Sequence, residues 1–181
     1  GIAVALAVQN ILGDLLASLS IVLDKPFVIG DFIVIDSYAG TIEHIGLKTT
    51  RIRSLSGEQL IFSNNDLLKS RVRNYKRMSE RRIQFGFGII YQTSLEKLKA
   101  TKDIVSTIIN KEEYARLDRV HFKEYGDFSL NFEVVYFVTQ PDYNTYMDVQ
   151  ERINQEMFRQ FAEEGIEFAY PTQTLLLHGS A

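Results

Sequence analysis

The sequence contains no cysteine, which excludes disulfides, thiol nucleophiles and cysteine-bound zinc together. That suits a reducing compartment. Proline is nearly as scarce, at 3 in 181 residues, and histidine numbers 3. His44, His121 and His178 lie too far apart in the chain to pair at metal-ligand spacing. No Walker loop, Gly-x-Ser-x-Gly elbow or His-Glu-x-x-His motif is present. Gly86-Phe87-Gly88 lacks the third glycine that opens a dinucleotide-binding helix and reads as strand glycine. Excess positive charge is also missing: the net charge is -3, which argues against a general nucleic-acid binder. There is no internal repeat and no low-complexity tract. With 45% hydrophobic and 24% charged residues, the chain is globular in balance and long enough for one or two domains.

What the chain has in abundance is apolar surface at its start. Ile2 to Leu23 has the length of a membrane span, interrupted by Gln9, Asn10, Asp14, Ser18 and Ser20. No basic segment precedes it, and Ala5-Leu6-Ala7 makes a poor cleavage site, so it does not read as a signal peptide. Ala and Leu dominate and Pro26 gives a stop, which predicts a helix over 1–24. Asn10, Asp14 and Ser18 fall at i, i+4 and i+8 and form one polar stripe, which Ala3 and Ala7 extend. Residues 1–8, by contrast, are apolar on every face.

From Pro26 the period changes to two. The stretches 27–37, 40–54 and 57–63 alternate or run in β-branched residues between Gly30, Gly40 and Gly57, which predicts a small β-barrel or sandwich over about 27–76. The run "KSRVRNYKRMSERR" (69–82) is basic, with Glu80 its lone acid. It fits either a solvated inter-domain connector or an RNA-binding surface on an Sm-like barrel. After Arg82 the pattern predicts strand, helix, two strands and helix: 82–91, Thr93 to about Asn110 with a capping box from Thr93 to Glu96, 119–126, 128–140, and a helix begun at Pro141-Asp142 and closed by Gly165. With extended segments at "IEF" and "TQTLLLH", the order βαββαβ is that of a ferredoxin-like unit. Fold alone leaves an enzyme or small-molecule sensor open.

Helix, barrel and split βαβ unit in this order resemble the pore helix and soluble region of the MscS family of small-conductance mechanosensitive channels. The likeness is carried by "ALAVQNILGDLLASLSIVLDKPFVIGDFI" (5–33), "GTIEHIGLKTTRIRS" (40–54), "IFSNNDLLKSRVRNYKR" (61–77), Arg81-Arg82, and "DVQERINQEMFRQFAEEGIEFAYPTQTLLL" (148–177). Its most specific elements are Lys25-Pro26-Phe27 with Gly30-Asp31, and Gly165 to Pro171.

The resemblance implies an α+β chain in four parts: a pore-lining helix with an amphipathic interfacial half (1–25), an Sm-like β domain (26–78), a ferredoxin-like α/β domain (79–170) and a C-terminal strand and tail (171–181). In the oligomer that strand, around Thr172 to Leu177, would join its copies in an axial barrel. It implies a homo-heptamer in an inner membrane, multi-pass, with residues from about 26 onward in the cytoplasm. Such a channel opens under bilayer tension to release ions and small osmolytes, with no cofactor, no enzymatic step and no nucleic-acid partner. The family's two gate rings match Ile2 and Leu6, which share a helical face and would form successive apolar collars. Ala3, Ala5 and Ala7 would let neighbouring helices approach. The family's kink position matches Asn10, where a glycine is usual, and leaves Gly13 as the nearest flexible point. A second family glycine matches Ser18, and a Pro-Asn pair appears as Ser63-Asn64. The matched helix starts upstream of Gly1, so the chain reads as part of a longer protein with further membrane helices.

Overall fold

The computed structural model describes residues 1–175, apart from the side chain of Asn10. It divides into two units, Gly1–Met78 and Ser79–Ala181.

The first unit opens with helix α1 (Ile2–Asp24), unbroken along its length. Five strands follow: β1 (Phe32–Ile35), β2 (Tyr38–Ile45), β3 (Thr49–Ser54), β4 (Gln59–Ser63) and β5 (Val72–Asn74). They form one antiparallel sheet in the order β4-β3-β2-β1-β5, so the chain meanders and then returns to pair β5 with β1. The stretch 27–37 is strand only from Phe32, because the seven residues before it make a turn in which Lys25 and Gly30 take positive φ. Alternation puts Ile33, Ile35, Ile42 and Ile52 into one core with Phe27, Leu67 and Ile21 of α1. Between β4 and β5 lies a short helix, α2 (Asn64–Lys69), which the strand pattern does not reveal; Ser63 caps it by accepting the Asp66 N–H. A single 3-10 turn, Tyr75–Arg77, ends the unit's regular structure.

The second unit contains β6 (Arg81–Ile89), α3 (Leu95–Lys111), β7 (Ala115–Tyr125), β8 (Leu130–Val138) and α4 (Tyr143–Glu164). The antiparallel sheet runs β6-β8-β7. Val105, Ile108 and Ile109 of α3, with Val149, Ile153, Met157 and Phe161 of α4, pack on Phe132, Val134, Tyr136 and Val138 of β8. The predicted fourth strand is reduced to one bridge, Ile89 with Phe168. That bridge lies beside β6, where the last strand of a split βαβ unit belongs. The cap of α3 is Ser94 rather than Thr93: the Ser94 hydroxyl accepts the Lys97 N–H, while Thr93 Oγ1 is turned back to donate to the Ile90 carbonyl. Asp142 caps α4 and Gly165 closes it at φ 63°, as the sequence predicts. Residues 171–175 take no regular structure, and the rest of the expected C-terminal strand, with His178, lies outside the described residues.

Candidate functional site: the apolar helix and its junction

Helix α1 is packed the wrong way round for a water-soluble protein. Its buried residues are Ala17, Ser18 and Ile21, flanked by half-buried Gly13 and Asp14. The large apolar side chains Leu12, Leu15, Leu16, Leu19, Val22 and Leu23 are all exposed. The Asn10-Asp14-Ser18 stripe is therefore not a solvated interfacial face over its second half. Ser18, 7% exposed, donates its hydroxyl to the Gly46 carbonyl at 3.4 Å, and Ile21, 1% exposed, enters the β-domain core. The small and polar face wins the inner position because the backbone of α1 must come close to α2 and to the β2–β3 turn. At Gly13 an added Cβ would have Asn65 Nδ2 as its nearest neighbour, at 4.0 Å.

The sequence-matched gate residues stand on this helix one turn apart. Ile2 is 82% and Leu6 57% exposed, and Ala3, Ala5 and Ala7 are exposed beside them. Among the described residues of the first unit, none covers this stretch. The side chain of Asn10 lies outside the described residues, so the expected hinge rests on sequence alone. Along the whole of Ile2–Asp24 the helix is long and apolar enough to cross a membrane.

Below α1 the chain is cross-braced. Lys25 adopts the left-handed conformation at φ 47° and its N–H returns to the Ile21 carbonyl, ending the helix. Phe27 then drops into the core. Asp31, buried, turns Oδ2 back to accept the Val28 N–H at 3.0 Å and the Asn74 Nδ2 at 2.7 Å. Asn74 also donates to the Pro26 carbonyl at 3.4 Å, and Arg77 donates to the Lys25 carbonyl. The two carbonyls that leave α1 are thus both held by side chains from the end of the β domain. This gives the Lys25-Pro26-Phe27 and Gly30-Asp31 pattern a physical reason: cap, core anchor, turn and buckle.

Asn64 is a second buried anchor near α1. It is fully buried, accepts the Thr50 hydroxyl at 2.8 Å and donates to the Gly46 carbonyl at 2.8 Å. The same Gly46 carbonyl receives Ser18. A buried amide therefore fixes the loop on which α1 rests.

In the second unit, Glu133 stands on the sheet face away from the helices and gathers Gln84 Nε2 at 2.6 Å, Lys123 Nζ at 3.3 Å and Arg119 at 3.5 Å. The Lys123 ammonium, and then Arg119, hold its carboxyl below the usual range. Along the same sheet a broad concave surface of about 1010 Å³ runs over Gly86 and Gly88. Gly86-Phe87-Gly88 lies within β6, not at the mouth of a helix.

The family described as "Mechanosensitive ion channel, beta-domain" matches residues 10–77, and "Mechanosensitive ion channel MscS, C-terminal" matches residues 83–168. The chain belongs to the MscS family. Among curated relatives, the small-conductance mechanosensitive channel MscMJ of Methanocaldococcus jannaschii is 37% identical over 179 residues, covering 98% of this chain and 51% of that protein. The large-conductance channel MscMJLR of the same organism is 35% identical, with 98% and 50% covered. Among solved structures, Helicobacter pylori MscS in the closed state superposes with TM-score 0.77 at 23% identity, covering 99% of this chain and 70% of that one. Arabidopsis thaliana MSL1 gives 0.83 at 18%, covering 94% and 63%. These likenesses establish the fold. The chain spans about half the length of the curated relatives it matches. They lend no support to the RNA-binding alternative for 69–82, and an ion-channel family is not an enzyme class.

Proposed function

We propose that this chain is the pore helix and cytoplasmic region of a mechanosensitive channel subunit. The whole protein would be a multi-pass inner-membrane homo-oligomer, a heptamer, with residues from about 26 onward in the cytoplasm. The observation that carries the reading is the packing of α1: its small and polar face seats on the β domain while eleven large apolar side chains, from Ile2 to Leu23, face outward. Lipid and neighbouring copies are the surroundings that such a helix requires.

In a ring of copies, Ile2 and Leu6 form two apolar collars that stop ions by excluding water. Ala3, Ala5 and Ala7 allow the helices to slide past one another, and Asn10 or Gly13 is where the helix bends. Tension favours the wider ring, the collars move off the axis, and ions and small osmolytes pass.

Leu6→Ser in the full-length protein is expected to lower the opening tension in patch recordings, because a polar collar wets at a smaller radius. An unchanged threshold would remove Leu6 from the gate. Native mass spectrometry of the full-length protein is expected to give seven subunits; a monomer would overturn the reading.

A further inference from the structure

Two features of the first unit have no role in gating as described: the basic segment after β5, and the turn that follows α1. The structure brings them together. Arg77 donates to the Lys25 carbonyl, Asn74 reaches Pro26, and the Tyr75 ring packs edge-on against Phe32 with centroids 6.2 Å apart. The turn between them presents Val28 and Ile29 to solvent, with Ile29 61% exposed. Turns at a protein surface favour Gly, Asn, Asp and Ser, so two adjacent β-branched side chains here are out of place in water. They cannot fold inward, because Asp31 buckles the turn through the Val28 N–H while Phe27 takes the core position.

We propose that this junction is a phospholipid-binding surface, with Val28 and Ile29 entering the interfacial layer of the cytoplasmic leaflet and Lys25, Lys76 and Arg77 holding anionic headgroups. The three cations are exposed: Lys25 precedes the apolar pair in the same turn, Arg77 donates to the Lys25 carbonyl, and Lys76 is the residue before Arg77; Asp24 is an exposed acid on the same stretch, while Asp31 is buried and engaged with Asn74. A phospholipid meets both requirements in one molecule, phosphate for the cations and acyl chain for the turn. The patch is continuous with the exposed Val22 and Leu23 at the end of α1. Whether α1 crosses the bilayer or its second half lies along the surface, the end of the helix reaches headgroup depth. Polybasic segments at that depth are drawn to anionic lipid over about a Debye length.

The inference rests on the membrane reading, and its test separates the two. Full-length protein, with Ile29→Cys as its sole cysteine and carrying a fluorophore, is reconstituted in vesicles of phosphatidylcholine with or without phosphatidylglycerol, each lipid in brominated form in turn. Leu55→Cys, on the β3–β4 turn, is the control. Quenching by brominated lipid is expected at 29 and not at 55, with brominated phosphatidylglycerol preferred. Lys76→Glu is expected to reduce that preference by more than about fivefold, since the loss of one basic residue near an anionic surface gives about that much and the new carboxylate adds repulsion. Absence of lipid quenching at 29 overturns the proposal. A label shielded from aqueous iodide yet untouched by brominated lipid assigns the turn to a neighbouring copy, and an RNA gel shift lost in Lys76→Glu without lipid quenching assigns the cations to nucleic acid; each overturns it. Patch recordings on the same vesicles report the channel reading independently, since tension-gated currents without quenching sink only the lipid site.

Discussion

At the scale of single residues, the stability of the first unit turns on buried polar groups more than on its charges. Asn64 accepts from Thr50 with its carbonyl and donates its amide to Gly46, and it is fully buried. Asn64→Ala strands the Thr50 hydroxyl and leaves the Gly46 carbonyl with Ser18 alone, and a cost of about 2 kcal/mol is expected, measured by denaturant unfolding of the detergent-solubilised chain. The carboxylates of the second unit set its behaviour in acid. Arg159 pulls Glu156 down to about 2, the Thr145 N–H lowers Asp142, and Lys123 lowers Glu133. Each folded-state pKa lies below its unfolded value, so each contribution is complete above the ordinary carboxylate range and is lost as pH falls through it toward 2. Thermal stability is therefore expected to decline below about pH 4.5, and Glu133→Gln is expected to flatten part of that decline; an identical acid profile in the variant would remove Glu133 from it. Asn64 stands in the sequence as the surviving half of a Pro-Asn pair, but its partners lie 14 and 18 residues away. Linear spacing cannot show such a network.

At the scale of elements, boundaries were legible wherever a residue type has one backbone consequence. Pro26 predicts the end of α1, and Gly165 the left-handed cap of α4. The α2 helix is not legible in the sequence, because six residues between two strands carry too few turns for a 3.6-residue period to register. In the second unit "IEF" has the composition of a fourth strand but makes only the bridge at Phe168. Gly40 shows what an element boundary hides. It sits inside β2 opposite Ser54, and a Cβ there would come within 2.3 Å of the Arg53 carbonyl and 2.7 Å of Ile52 Cγ2. Backbone cannot yield as a flexible side chain would, so Gly40→Ala must part β2 from β3. A loss of about 3 kcal/mol or more is expected, whereas Gly57→Ala, at φ 100° in open space, is expected to cost about 1 kcal/mol from backbone strain alone. Comparable unfolding midpoints for the two variants would contradict the close approach.

At the scale of the whole molecule, the decisive property is which side of α1 faces in. Polar residues on an amphipathic helix ordinarily face outward to water. The fold reverses this, because the surroundings outside α1 are not water in the reading that membership of the MscS family supports. The reversal separates two kinds of apolar residue on one helix. Ile21 is part of the β-domain core, and Ile21→Ala is expected to destabilise the first unit by about 3 kcal/mol. Leu12, Leu16 and Leu19 belong to no core among the described residues. Leu12→Gln, Leu16→Gln and Leu19→Gln together are expected to leave the unfolding midpoint of the isolated chain within experimental error while making it monodisperse without detergent, measured by light scattering. In the full-length protein the same triple variant is expected to lose tension-gated current, because the residues removed are the ones that meet lipid and neighbouring helices. Destabilisation of the isolated chain by the triple variant would show those leucines packing within it, and the outward-facing helix on which the channel reading stands would be wrong.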